Sequence, residues 1–178
     1  MLMNKVLKPF VPLNDKDADK YFELGIKVNN KRQSYSTDPL YVKWDEDSIK
    51  GALITAIRNN KLCNGDLTKM LPNRPYVVVF RDSNGTPRGL SLIALSDGVW
   101  YSNDYITTLS EYFLIRLDNS KESCGIARAS AEVLKMLVDK GVADRATSGA
   151  SSEDSLLLKN AFEKMGFKTT FEFSYTKQ

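Results

Sequence analysis

The chain has 178 residues, of which 42% are hydrophobic and 26% are charged, so it is long enough to bury the core of one domain and too polar for a membrane protein. It contains 25 lysine and arginine residues against 22 acidic residues, and no histidine. The missing imidazole excludes Ser-His-Asp and Cys-His mechanisms and His-ligated metal sites. Any chemistry therefore rests on carboxylates, hydroxyls, thiols, amines, backbone amides or a cofactor.

The basic residues are spread along the chain, which disfavours a nucleic-acid surface. The cysteines Cys63 and Cys124 are too few for a disulfide framework and too far apart for a CxxC motif. The N-terminus lacks the long apolar segment of a leader, and no apolar run reaches membrane-spanning length. We therefore expect a cytoplasmic protein with a single domain over residues 1–178, without metal or membrane contact, whose oligomeric state the sequence leaves open.

Two amphipathic helices are predicted in the first third of the chain. Asn14 or Asp15 is a suitable cap for the first helix, and the second has an acidic first turn followed by apolar residues at helical spacing. The predicted order is a strand over residues 5–11, a helix that carries Tyr21 to Val28, a loop over 29–41, a helix over 45–60 and an irregular segment over 63–75.

Extended structure is predicted in the middle of the chain. Two apolar runs, over 76–80 and 89–95, flank the turn sequence Asp82-Ser83-Asn84-Gly85, and this pattern is typical of an antiparallel hairpin. Ser96-Asp97-Gly98 predicts a second turn. Residues 108–117 form an almost continuous apolar run, which predicts a central strand covered on both faces.

Helices and strands alternate in the last third. An apolar stripe over 125–140 predicts a helix, and Ser151-Ser152-Glu153-Asp154 is a favourable start for another helix that ends at Gly166. Short strands are predicted over 142–147 and over 167–175. The order β-α-α-β-β-β-α-β-α-β describes a mixed central sheet flanked by helices, in the α/β or α+β class.

The junction between the strand over 108–117 and the helix beginning near Gly125 is the most informative part of the sequence. A central strand that leads through a polar loop into a helix presents unpaired backbone N–H groups and the positive end of a helix dipole. Phosphate or pyrophosphate binds well at such a place, although many α/β domains have the same turn with nothing bound. The sequence contains neither a GxGxxG fingerprint nor a P-loop.

Two short motifs resemble the GNAT acetyltransferase superfamily. Glu122-Ser123-Cys124-Gly125-Ile126-Ala127 resembles its acyl-CoA-binding motif, which is Arg or Gln, two residues, Gly, any residue, and Gly or Ala. Phe162-Glu163-Lys164-Met165-Gly166-Phe167 resembles its C-terminal signature, an aromatic residue, often Tyr, four residues before Gly-Phe. The order of predicted elements is also similar, so the resemblance covers most of residues 5–175 and implies a GNAT-like fold.

The resemblance implies a site for acetyl-CoA and an amine acceptor, with no metal. The pyrophosphate would lie on backbone amides at the helix start, and the pantetheine arm would follow the central strand where that strand diverges from the strand over 142–147. Glu111 matches a common position of a carboxylate base, although an exposed strand-end acid has the same signature. Tyr175 and Ser155 are candidates for the leaving-group acid, and the third alternative is that no side chain serves, because a CoA thiol is already a good leaving group. The implied cofactor-binding residues are Ile115, Arg116, Leu117, Ser123, Cys124, Gly125, Ile126, Ala127 and Ser155, of which Ser155 also fits a simple first-turn helix serine.

Two departures from the family pattern leave a second interpretation open. Glu122 stands where the family prefers Arg or Gln, so Lys121 or Arg128 would have to supply the missing charge, and Phe162 stands where Tyr is frequent. The chain is therefore either an N-acetyltransferase acting by direct attack in a ternary complex, or a GNAT-like domain without catalysis that serves in binding or assembly. Transfer to a nucleic-acid base is disfavoured by the diffuse charge. The predicted contacts of the unidentified acceptor amine are Trp100, Tyr101 and Tyr105.

Overall fold

The computed structural model describes residues 6–33, 46–101, 104–121, 125–148 and 155–168. The helices in these ranges are α1 (Asp17–Gln33), α2 (Glu46–Leu62), α3 (Ile126–Asp139) and α4 (Ser155–Lys164), with a short 3-10 helix over Leu67–Lys69. The strands are β1 (Lys8–Phe10), β2 (Pro75–Arg81), β3 (Pro87–Tyr101), β4 (Asp104–Arg116) and β5 (Arg145–Ser148). None of these helices has the length and apolar character needed to cross a bilayer.

The strands form one mixed sheet in the order β1-β2-β3-β4-β5. Neighbouring strands are antiparallel from β1 to β4, whereas β5 runs parallel to β4. The predicted hairpin between β2 and β3 is confirmed. Its turn is closed by the Asp82 carboxylate, which accepts hydrogen bonds from the backbone N–H groups of Asn84 and Thr86, and by Gly85 at φ 79°. This mixed sheet with flanking helices confirms the predicted fold class.

Helices cover the sheet on both faces. The side chains of β2 alternate between these faces, as expected from the two-residue period of a strand. Val77 and Val79 lie in one core cluster with Ile57 of α2, whereas Val78 lies in the other cluster with Leu134 of α3, and all five side chains are fully buried. The apolar stripe that predicted α3 is therefore the surface that packs on the sheet.

Some predicted boundaries are wrong. The predicted loop over 29–41 begins too early, because α1 continues to Gln33. A polar run fits the end of a helix as well as a loop. The predicted turn at Ser96 is absent, because β3 continues to Tyr101 and a register shift between Ser96 and Val99 absorbs one extra residue. Phe167 and Lys168 are not in a strand, and the rest of the predicted last strand lies outside the described residues.

Candidate active site

β4 pairs with two neighbouring strands along its first half. Its pairing with β5 runs from Thr108 to Glu111, and the last described pair joins Glu111 to Ser148. Residues 113–116 pair with β3. We call the end of the described β4–β5 pairing, at Glu111 and Ser148, the fork. The divergence predicted beyond this point falls on residues 149–154 of the other strand, which lie outside the described residues.

Tyr112 is an extra residue at this fork. Leu92 of β3 pairs with Phe113, and the next residue, Ile93, pairs with Glu111, so Tyr112 has no opposing residue and forms a β-bulge. The bulge places Glu111 on the α3 face of the sheet and Phe113 on the α2 face. Tyr112 is 60% exposed and Phe113 is 39% exposed. The prediction that the whole central strand is covered on both faces is therefore wrong for this half, because the bulge turns its aromatic residues outward.

Glu111, the predicted base, is buried at the apex of the fork. Its carboxylate accepts hydrogen bonds from three hydroxyls on three different elements: Ser91 of β3 at 2.6 Å, Ser130 of α3, and Ser148 of β5 at 2.5 Å. It is only 8% exposed and lies inside the strand, so the alternative of an exposed strand-end acid is wrong. Burial raises the pKa of Glu111 above its ordinary value of 4.5, although the three hydroxyls act in the opposite direction.

The segment predicted to hold the pantetheine arm is held by β3 on one side. Ile115 and Arg116 pair with Leu90 and Gly89, and the N–H of Leu117 donates to the carbonyl of Arg88 at 3.0 Å. Backbone groups along a strand point alternately to its two sides. The groups of residues 113–116 that point away from β3 therefore face the side on which β5 pairs with the first half of β4.

Gly125 occupies the capping position of α3, and no side chain caps the helix from that position. Its φ of −82° suits any residue. A Cβ built on it would meet only Leu7, at an ordinary contact distance of 3.7 Å. Neither the backbone nor the packing of the described residues requires glycine here. The position instead leaves room at a helix N-terminus, as close approach of an anionic ligand requires.

Gly89 of β3, unlike Gly125, lies where the packing leaves no room for a side chain. A Cβ on it would lie 2.5 Å from Cγ2 of Ile126 and 3.1 Å from the carbonyl oxygen of Ile115. The missing side chain therefore lets the first turn of α3 rest directly on the sheet beside β4. Gly89 is not among the site residues predicted from the sequence, although a glycine inside a strand pattern is a known signal of close backbone approach.

Arg88 links the β2–β3 hairpin to the loop after β4. Its guanidinium donates to the Asp82 carboxylate at 2.9 and 2.7 Å, to the Asp118 carboxylate, and to the Ser120 hydroxyl at 3.3 Å. Arg116 adds a hydrogen bond of 2.8 Å to the carbonyl of Ser120. The loop leading toward α3 is therefore held by side-chain contacts that the sequence motifs do not reveal.

An apolar cavity of about 250 Å³ lies between α2 and the sheet. Phe113, the first residue after the bulge, lines it, so the cavity begins beside the fork on the face opposite α3. Ser48 is the only polar side chain among its described lining residues, which are Ser48, Ile49, Ala52, Leu53, Leu90, Leu92, Phe113 and Ile115.

The remaining predicted site residues are only partly described. Ser155 is the first residue of α4, and its backbone alone is described. Phe162 is a core residue, 6% exposed, whose ring lies 5.0 Å from that of Phe167 in an edge-to-face arrangement. In the described part of the chain, no three acidic or cysteine side chains form a group that could hold a metal ion. Outside the described residues or side chains lie Ser123, Cys124, Tyr175, Glu122, Trp100, Tyr101 and Tyr105.

Several residues of the site carry weak sequence signals. Ser91 interrupts an apolar strand, and Ser130 interrupts the apolar stripe of α3. A serine at such a position indicates a buried polar partner. Ser148 and Arg88 carry no signal of this kind. Their role emerges only when the sheet brings residues that are 37 and 30 positions from their partners into contact.

No protein-family model and no curated protein matches the sequence. The fold matches solved structures over nearly the whole chain. A tetramutant of the BH1408 protein from Bacillus halodurans has a TM-score of 0.66 at 13% identity, covering 97% of this chain and 99% of that one. An acetyltransferase from Trypanosoma brucei has a TM-score of 0.58 at 14% identity, with the same coverage.

The aminoglycoside N-acetyltransferase AAC(6')-Iy, solved in complex with CoA, has a TM-score of 0.55 at 12% identity and covers 99% of each chain. At such identities the likeness establishes the fold alone. The chain has a GNAT-like fold, as its two motifs predicted.

Proposed function

We propose that this protein is an acetyl-CoA-dependent N-acetyltransferase that transfers the acetyl group to an amine by direct attack in a ternary complex. The observation that carries the proposal is the position of Gly125 at the start of α3, close to the end of β4, where the described residues give no internal reason for glycine. The buried carboxylate of Glu111 lies on the same face of the sheet as α3. A helix start without a side chain is a place where the pyrophosphate of an acyl-CoA can bind closely.

The donor would bind largely to backbone groups. Its pyrophosphate would accept hydrogen bonds from the amides of residues 123–127, where the helix dipole favours negative charge. Its pantetheine amides would pair with backbone groups of residues 115–117. The thioester would then reach the apex of the fork near Glu111. A site made of backbone groups fits a chain without histidine, because binding needs no imidazole.

Glu111 is the proposed proton acceptor. The amine must lose a proton before or during its attack on the thioester carbonyl, and a carboxyl group with a raised pKa is a better base near neutral pH than an ordinary one. The Ser148 hydroxyl, which donates to Glu111 at 2.5 Å, lies in the last pair of the fork. We assign it as a relay that passes its own proton to Glu111 and receives the proton of the amine. Tyr175 remains the proposed acid for the thiolate of CoA.

The acceptor would approach from the α2 face of the sheet. The bulge turns Phe113 toward the cavity on that face, while Glu111 and the start of α3 lie on the other. Donor and acceptor would therefore meet at the fork from opposite faces, as direct transfer requires. An amine attached to an apolar group suits this cavity better than a polycation, because the described lining residues carry no charge.

A second candidate function is ligand binding without catalysis. Two observations favour it: Phe162, a core residue, has no proton that it could donate as an acid, and Glu111 already accepts three hydrogen bonds. The two functions share the donor site and differ in turnover. A non-catalytic domain would bind CoA and release no thiol with any amine.

Calorimetry with acetyl-CoA tests the shared donor site. We expect wild-type protein to bind and Gly125→Glu to lose binding, because the new carboxylate would repel the pyrophosphate. The fold should survive, since a Cβ fits at this position and an acid suits a helix N-terminus. Gly51→Glu is the matched control: Gly51 lies on α2 with open space around its Cβ position, so this variant should bind like wild type.

Thiol release across a panel of amines then separates the two functions. Turnover with an apolar primary amine, lost in Glu111→Gln, supports the enzyme. Binding of acetyl-CoA without thiol release from any amine of the panel favours the non-catalytic domain. Absence of acetyl-CoA binding to the wild type would contradict both.

A further inference from the structure

Arg88 and Gly89 are consecutive residues of β3 that hold the two ends of the loop between β4 and α3. We propose that they are positioning residues for the phosphate-bearing part of the acyl donor, and this inference rests on the function proposed above. Neither residue belongs to the motifs that resemble the family. Each acts through contacts within the protein.

Arg88 holds the start of the loop. Its carbonyl accepts the N–H of Leu117, and its guanidinium bridges Asp82 in the hairpin to Asp118 and Ser120 in the loop. The side chain of Arg88 is 18% exposed and that of Asp82 is 2% exposed, so these ion pairs are shielded from water and more rigid than surface pairs. The planar guanidinium fixes both carboxylates at once, which a lysine ammonium on a flexible stem does less well.

Gly89 holds the other end of the loop. Ile126, the first residue of α3, packs over Gly89 so closely that no side chain fits between them. Because Gly89 pairs with Arg116, the helix start is fixed beside the final residues of β4. One dipeptide of β3 therefore determines where the strand leaves the sheet and where the helix begins.

Arg88 acts on this region through contacts within the protein. Four hydrogen bonds already engage its guanidinium, which has five N–H donors in total, so it is not free to bind a phosphate directly. Its partner Asp118 also accepts hydrogen bonds from the N–H and hydroxyl of Ser120, so the bridge is joined to the turn after β4. Breaking the bridge from either side would therefore loosen the loop.

The proposal predicts an effect that depends on the phosphates of the ligand. CoA places its pyrophosphate at the start of α3, whereas pantetheine has the same arm and thiol but no phosphate. A loosened loop should therefore weaken CoA and leave pantetheine almost unchanged. General damage to the fold would weaken both ligands alike.

The test measures the Kd of CoA and of pantetheine by NMR titration for wild type, Arg88→Lys and Asp118→Asn. Asp118→Asn keeps the buried Arg88–Asp82 pair, so it should fold even if Arg88→Lys does not. We expect Arg88→Lys to weaken CoA by about tenfold, the equivalent of one lost charge-assisted hydrogen bond, with pantetheine affinity unchanged. Asp118→Asn should act in the same direction, because it also removes the bridge. Arg58→Lys, at the exposed pair with Asp15, is the matched control and should change neither Kd.

Amide hydrogen exchange provides a measurement that does not depend on the ligand. Arg88→Lys and Asp118→Asn should accelerate exchange in the loop after β4 and in the first turn of α3, and Arg58→Lys should not. Equal loss of CoA and pantetheine, or unchanged CoA affinity in both bridge variants, would overturn the proposal while leaving the proposed function intact. A wild type that binds no CoA would overturn the proposed function itself.

Discussion

The two halves of β4 belong to one strand but occupy different environments. Residues 108–111 are paired on both sides, and Leu109 and Glu111 are buried there. After the bulge at Tyr112, residues 113–116 pair with β3, and the side chains of Tyr112 and Phe113 are exposed. The first half has the pairing and burial that stabilise a fold, and the second is the half that we propose contacts the donor. The bulge at Tyr112 separates these two environments within a single strand.

The largest expected difference between the two halves of β4 is in the stability that is lost when one apolar side chain is truncated. Leu109 is fully buried in the main core, so Leu109→Ala should lower the free energy of unfolding by about 2–5 kcal/mol. Phe113→Ala should cost about 1 kcal/mol, because the ring is already partly in water. Urea denaturation measures both. Equal losses of stability would mean that the two halves do not differ as described.

The two glycines near the start of α3 provide the next test. Gly89→Ala should destabilise the protein by about 1–3 kcal/mol, because its Cβ would lie 2.5 Å from Ile126 and force the helix away from the sheet. Gly125→Ala should change stability by less than about 1 kcal/mol, since its Cβ would make an ordinary contact. Thermal unfolding gives both values. A large loss of stability in Gly125→Ala would show that glycine 125 serves the fold and not a ligand.

Glu111 at the junction of the halves should make stability depend on pH. Burial raises its pKa in the folded state above the ordinary 4.5, so the folded state binds the proton more tightly than the unfolded state. Stability contributed by this group is therefore present below pH 4.5 and is lost as the pH rises through the folded value. The groups that contact the carboxylate are serine hydroxyls, which do not titrate in this range.

Glu111→Gln removes this dependence. The stability of the variant relative to wild type should improve between pH 4 and pH 7, by about 1 kcal/mol for each unit by which the pKa is raised. Urea denaturation at several pH values gives the difference, in which the other titrating groups cancel. A difference that stays constant over this range would contradict the raised pKa.

The smallest effect is expected beside the start of β5. Asp144, just before β5, accepts hydrogen bonds from the N–H and hydroxyl of Thr107 at 2.7 and 2.8 Å, and these hold its pKa below the ordinary 3.8. This group is exposed, so Asp144→Asn should lower the melting temperature only slightly at pH 7. The difference should disappear as the pH falls through the folded value of the pKa, because wild type then loses the same charge. A difference in melting temperature that persists in acid would mean that the effect comes from packing and not from the charge of Asp144.

The sequence predicted the elements well because each has a local pattern. The hairpin followed from its turn residues, and α3 followed from an apolar stripe that ends before Gly141. The divergence of β4 from β5 was implied only by the resemblance to a family, through the motif around Gly125, and stays a prediction. The exposure of Tyr112 and Phe113 was missed, since an apolar run has the same composition whether or not a bulge turns part of it outward.

The contacts within the site were less predictable than the fold. Glu111 was selected from the sequence, but its three serine partners lie 20, 19 and 37 residues away. No periodicity links residues over such distances, because the contacts depend on strand register and on the position of α3 on the sheet. Arg88 is hidden for the same reason, since its partner Asp118 follows a strand that only the sheet brings beside β3.

We propose that the second half of β4 and the start of α3 form one donor site. NMR titration of ¹⁵N-labelled protein with CoA tests it most directly. We predict that the largest amide shift changes fall on residues 112–117 and 125–128, while β1 and the first half of β4 remain nearly unchanged. Changes confined to other parts of the sheet, or none at millimolar CoA, would contradict the account.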